Sequence, residues 1–200
     1  MGIERKIVAL GDSTTAGTPG FLSPIEAPPA GRGNPESQYG FWMTKLHPDW
    51  IVLNRGVNGQ RSDQILARFD RDVSREGPEV VIILAGVNDI FQGRSASSVK
   101  RNLETMYERA KSSRIIPVAT TILPYNIAGR REIESMHEVN SWVEARSKQG
   151  GLLFCDTSRT VSDPDNRDLL ASTPDGIHPD VDGYRRIGEA LAMAIEMGLR

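Results

Sequence analysis

Four short stretches carry side chains able to do chemistry: Gly11-Asp12-Ser13, Asn54-Arg55-Gly56-Val57-Asn58-Gly59, Gly86-Val87-Asn88-Asp89 and Asp175-Gly176-Ile177-His178-Pro179. A serine hydroxyl attacks a carbonyl when a general base takes its proton, and the base needs an acceptor to orient it. Three histidines are available. His47 precedes Pro48 with no hydroxyl-rich turn beside it, and His137 falls inside an amphipathic helical pattern. His178 lies in a loop bounded by Gly and Pro, three residues after a carboxylate, a spacing that can hold both side chains in one cluster. A solvated turn is the plainer alternative. Asn88 offers a neutral side-chain N–H, a donor type suited to an oxyanion, or it caps the next segment. Asp12 or Ser13 can likewise cap a helix. Gly56 and Gly59 can serve a positive φ or a close backbone approach to a ligand. A phosphate cradle fits less well: Gly11 and Gly17 have GxxxxG spacing, but Thr18-Pro19 stand where Lys and Ser/Thr are required. No G-x-S-x-G elbow occurs, which disfavours an α/β-hydrolase.

These turns need a frame. Continuous apolar runs at Ile7–Leu10, Ile51–Leu53, Val80–Ala85, Ile115–Ala119 and Leu152–Cys155 read as strands buried on both faces. Helical periods lie near 39–46, 61–74, 97–112, 131–148 and 182–197. In the fourth, Ile133, Met136, His137, Asn140 and Val143 share a face; in the last, Ile187, Leu191, Ala194 and Ile195 do. The βαβα order predicts a flavodoxin-like three-layer α/β/α sandwich of about five parallel strands, in one domain over residues 1–200. In such a sheet ligands bind outside the carboxyl ends of the strands. The first three chemical turns directly follow the first three strands.

Composition narrows the function classes. Lys and Arg number 24 against 26 Asp and Glu, so no strongly basic balance points to nucleic acid. No apolar run reaches 18 residues, and MGIERK lacks a signal-peptide pattern. With one cysteine, Cys155, the expectation is a cytoplasmic, reducing compartment. No His, Cys, Asp and Glu cluster at metal-ligand spacing appears, so neither metal nor cofactor is implied. Residues 18–38 hold five prolines in no repeat. A loop so long is expected to border the active site, with Phe21, Leu22 and Ile25 covering a substrate.

Taken in order from residue 7 to about 188, the four stretches resemble the signature blocks of the SGNH hydrolases, also called the GDSL-type esterase/lipase family. Here the first block reads GDSTTAG, with Thr14 where the GDSL name has Leu. Spacing after Asn54, and Ser62 beyond, favour Gly59 over Gly56 in the second block. The resemblance implies Ser13 as nucleophile, His178 as base, Asp175 as its orienting acid, and an oxyanion hole from the Ser13 and Gly59 N–H groups and the Asn88 amide. Asp12 becomes an anchor of the turn. Ile177, Phe21 and Ile25 are the candidate substrate contacts. The expected substrate is a small ester with a short acyl group, acetyl among them. Lysophospholipase or thioesterase chemistry on the same residues, and a non-catalytic glycan- or lipid-binding relative, are the alternatives.

Overall fold

The computed structural model describes residues 4–199. Five parallel strands form the central sheet: β1 (Arg5–Gly11), β4 (Trp50–Gly56), β5 (Val80–Leu84), β6 (Ile116–Thr120) and β7 (Leu153–Cys155), in spatial order β4-β1-β5-β6-β7. Counting only these five, the order is 2-1-3-4-5, that of the flavodoxin-like fold. A separate two-residue hairpin pairs β2 (Phe21–Leu22) with β3 (Arg32–Gly33).

The continuous apolar runs have the predicted cause. Along β1 and β5, Val8, Leu10, Val81 and Ile83 face one helical layer, while Ile7, Ala9, Val80, Ile82 and Leu84 face the other. Each such fully buried Val, Leu or Ile side chain stabilises the fold by roughly 1.5–3 kcal/mol. The first layer is built on α3 (Ser62–Ala67), α4 (Phe69–Asp72), α6 (Ala96–Ser112) and α7 (Arg130–Lys148), which contribute Ile65, Phe69, Leu103, Met106 and Val139. The second uses α2 (Tyr39–Leu46), the short α8 (Thr157–Val161) and α9 (Val181–Gly198), through Tyr39, Met43, Val161, Ile187, Leu191 and Ile195. Among the described residues no helix is long and apolar enough to cross a membrane.

Three expectations change. The helix expected over 61–74 is broken into α3, α4 and a 3₁₀ turn at Ser74–Glu76. The break falls at Arg68, whose buried guanidinium donates to Gly11 O at 2.7 Å, Arg55 O at 2.9 Å and Asp72 at 2.6 Å. Capping two strand ends from one side chain takes precedence over continuing the helix. On α7, His137 is exposed and off the buried face, which runs through Met136, Val139 and Val143. Residues 18–38 are anchored to the body of the fold rather than arched over a cleft, with 19–20, 28–30 and 32–36 exposed. Ser23 Oγ donates to Gly56 O at 2.6 Å, Tyr184 Oη donates to Thr18 O at 2.6 Å, and Phe21 is 7 % exposed.

Candidate active site

Register brings the polar turns together. Gly11 lies opposite both Gly56 and Leu84, so β1, β4 and β5 end in one row across the sheet. Beyond that row the chain enters α1 (Ser13–Ala16), the 57–61 turn and α5 (Val87–Phe91). Asp12 caps α1, its Oδ1 accepting the Thr14 N–H at 3.1 Å. A side chain at Gly56 would collide with the Ala16 backbone, so the α1 turn rests directly on the end of β4. Gly59 differs: its φ of 69° is left-handed and a Cβ there would meet nothing within 4 Å. Gly56 therefore serves close packing, and Gly59 the turn itself.

The fourth turn arrives from far along the chain. Asp175 Oδ1 accepts the backbone N–H groups of Ile177 at 2.9 Å and His178 at 2.8 Å. Its other oxygen, Oδ2, lies 2.7 Å from His178 Nδ1. The same carboxylate thus folds the loop and holds the imidazole, which is why a three-residue spacing suffices. Asn126 N–H donates to Gly176 O at 2.7 Å, tying the loop to the segment after β6. His178 Nε2 then sits 2.9 Å from Ser13 Oγ, across 165 residues of sequence. Burial works to raise the Asp175 pKa. The His178 ring and the two backbone donors outweigh it and hold the carboxyl below its ordinary range.

Ser13, Gly59, Asn88, Ile177 and His178 line one cleft of about 180 Å³. Ser13 is only 7 % exposed, at the cleft floor rather than on the open surface. The Asn88 amide donates to Gln60 O at 3.1 Å, which orients the side chain and leaves its second N–H free of that bond. Phe21 and Ile25 do not line the cleft. The β2–β3 pairing turns Phe21 under its own loop, its ring against Gly31. His47 stacks on Trp50, with ring centroids 4.0 Å apart, and His137 Nε2 lies 2.6 Å from Asp168 Oδ1, so neither joins the site.

Residues missed at the sequence level include Val87, Phe91, Leu123 and Tyr125, which complete the cleft wall. Leu123 and Tyr125 follow β6, so the strand-end rule was the signal that could have found them. Also missed is the pairing of Ser62 with Asp89, its N–H to Oδ2 and Oγ to Oδ1, both at 2.7 Å. This buried pair clamps the Gly59 turn to the Asn88 turn. Burial pushes the Asp89 carboxyl up, against the two Ser62 donors. Burial also drives Asp12 up to about 7, against the Thr14 N–H, with the charge of Asp89 adding to the rise.

Comparison with known proteins identifies the family. Residues 9–186 match the GDSL-like Lipase/Acylhydrolase family. The chain is 32% identical over 101 residues to the esterase TesA of Pseudomonas aeruginosa, a match spanning half of each protein. It is 22% identical to an acetylxylan esterase of Geobacillus stearothermophilus, over 98% of this chain and 95% of that one. A solved G-D-S-L family protein from Desulfitobacterium hafniense DCB-2 superposes with a TM-score of 0.79 at 26% identity, over 95% of this chain and 99% of its own. With its family match running across all four polar turns, the chain belongs to the GDSL-like lipase/acylhydrolase family and is a carboxylic ester hydrolase.

Proposed function

We propose that this protein is a serine esterase for small carboxylic esters with a short acyl group. Ser13 Oγ attacks the ester carbonyl as His178 Nε2 takes its proton, while Asp175 accepts a hydrogen bond from Nδ1–H and stabilises the imidazolium. The carbonyl oxygen becomes an oxyanion facing the Ser13 and Gly59 N–H groups and the Asn88 amide. Loss of one such donor typically costs about 10²–10³ in rate. On collapse the C–O bond to the alcohol breaks and His178 returns the proton to that oxygen. Water then repeats the sequence on the acyl-serine, releasing the acid and restoring Ser13.

The observation that carries this reading is the unbroken hydrogen-bond chain from Ser13 through His178 to Asp175 at the floor of a cleft. The names of two relatives, an esterase and an acetylxylan esterase, support the acyl-transfer class. Ser13→Ala is expected to lower kcat/KM for p-nitrophenyl butanoate by at least about 10³-fold with the circular dichroism spectrum unchanged. A fluorophosphonate is expected to label the peptide containing Ser13. Near wild-type turnover in the variant, or a label on another peptide, overturns the assignment.

A further inference from the structure

The cleft lining is chemically mixed: Thr14 and Asn58 join the polar residues around Ser13, while Val87, Phe91, Leu123, Tyr125 and Ile177 supply an apolar wall. No Asp, Glu, Lys or Arg side chain lines it. A charged head group buried there would lose water without gaining an opposite charge, whereas a hydrocarbon loses nothing polar. The volume sets a scale. An apolar cavity of about 150 Å³ accommodates benzene, so about 180 Å³ takes roughly six carbon atoms.

The rim points the same way. Phe91 meets Tyr125 edge-on, with ring centroids 5.9 Å apart, yet keeps 53 % of its surface exposed. Ile127, packed over Gly176 of the histidine loop, is 62 % exposed. Packing within the fold leaves these two side chains in water, and an apolar occupant of the cleft would cover Phe91, which lines it. Val87 and Phe91 stand one helical turn apart on α5, the same short helix that carries Asn88. The apolar wall therefore begins beside the proposed oxyanion contact, within reach of a substituent on the bound carbonyl.

We propose that this wall is an acyl pocket selecting esters of apolar carboxylic acids of about four to six carbons over acetate esters. The proposal rests on Ser13 being the nucleophile. It narrows the expectation from sequence, which included acetyl.

The test holds the alcohol fixed. With p-nitrophenyl acetate, butanoate, hexanoate and decanoate, kcat/KM is expected to rise at least tenfold from acetate to hexanoate, then fall at decanoate. Full burial would give about fourfold per methylene. A second series, acetates of methanol through hexanol, is expected to vary less than threefold. Val87→Phe, which fills the pocket, is expected to lower the hexanoate-to-acetate ratio at least tenfold. Should that variant fail to fold, Phe91→Ala at the exposed rim is expected to lower the ratio at least threefold. A preference for acetate, a flat acyl profile, or a gain that follows the alcohol overturns the proposal and leaves a serine esterase in place. No hydrolysis of any ester by protein whose Ser13 resists a fluorophosphonate overturns the underlying reading, and the pocket with it.

Discussion

Two aspartates near the nucleophile show how environment divides one residue type into two behaviours. Asp175 is partly exposed, and its hydrogen bonds to the His178 ring and two backbone N–H groups keep it charged below the ordinary carboxylate range. The stability it contributes is present above that range and is lost as pH falls through its lowered folded value. Asp12 is 1 % exposed, and burial moves it the opposite way, to about 7. From about pH 4 to about 7 the folded protein keeps a proton there that the unfolded chain has released. Stability contributed by this group therefore falls as pH rises through that window and levels off above it. Asp12→Asn keeps an acceptor for the Thr14 N–H and removes the buried charge. Its thermal midpoint at pH 8 is expected to exceed the wild type's by at least about 2 °C, with the difference vanishing near pH 4. Differential scanning calorimetry across pH 4–8 measures it, and an equal difference at both ends counts against a titrating Asp12.

Between elements, the exits of β4 and β5 are joined by one clamp. Asp89 at the start of α5 receives both Ser62 donors at the start of α3, and Asn102 of α6 donates to the Ser62 hydroxyl at 2.9 Å. Gly59 and Asn88 lie on either side of it, so the spacing of two proposed oxyanion donors depends on a bond that neither residue makes. Asp89→Ala leaves the buried Ser62 donors unpaired, which costs about 1–3 kcal/mol. A thermal midpoint lower by about 2–12 °C is expected, with kcat falling at least about tenfold. Ser62→Ala is expected to act in the same direction, and the double variant to lose less than the sum of the two. Additive losses in kcat would show that the clamp does not set donor spacing.

Across the whole molecule, the 18–38 segment behaves as a brace. It ties the Gly56 and Asn58 turn to α9: Glu26 accepts the Asn58 N–H at 2.9 Å, Thr18 Oγ1 bonds the Asn58 side chain, and Tyr184 of α9 reaches Thr18 O. Gln38 Oε1 also accepts from Asn54 at 2.8 Å. Replacing 20–36 by a short Gly/Ser linker removes the Ser23–Gly56 and Glu26–Asn58 bonds and the buried Phe21, and is expected to lower the thermal midpoint by more than about 5 °C. It should reduce kcat/KM for butanoate and hexanoate by the same factor, since the segment does not line the cleft. A changed ratio of the two, with an unchanged midpoint, would restore the lid that the sequence pattern predicts.

Local chemistry was readable before any fold was known. Val80–Leu84, short, β-branched and apolar at every position, reads as a strand covered on both faces, and a row of such strands places Ser13, Gly59 and Asn88 at one sheet edge. Asp175 and His178 are three residues apart, so one Asx-type turn brings them together. Both inferences use forces acting between near neighbours or along one element. What only the tertiary structure decided depends on directions set by distant elements. The 2.9 Å contact of His178 with Ser13 requires β6, its following loop and α9 all to be in place. Phe21 turns inward because its hairpin pairs with Arg32–Gly33, a choice that composition alone leaves open. The apolar wall gathers Val87, Leu123 and Ile177 from three separate turns. Helix and strand periods record which face a side chain takes on its own element. They carry no record of which neighbour that face meets, and the shape of the cleft is a sum of such meetings.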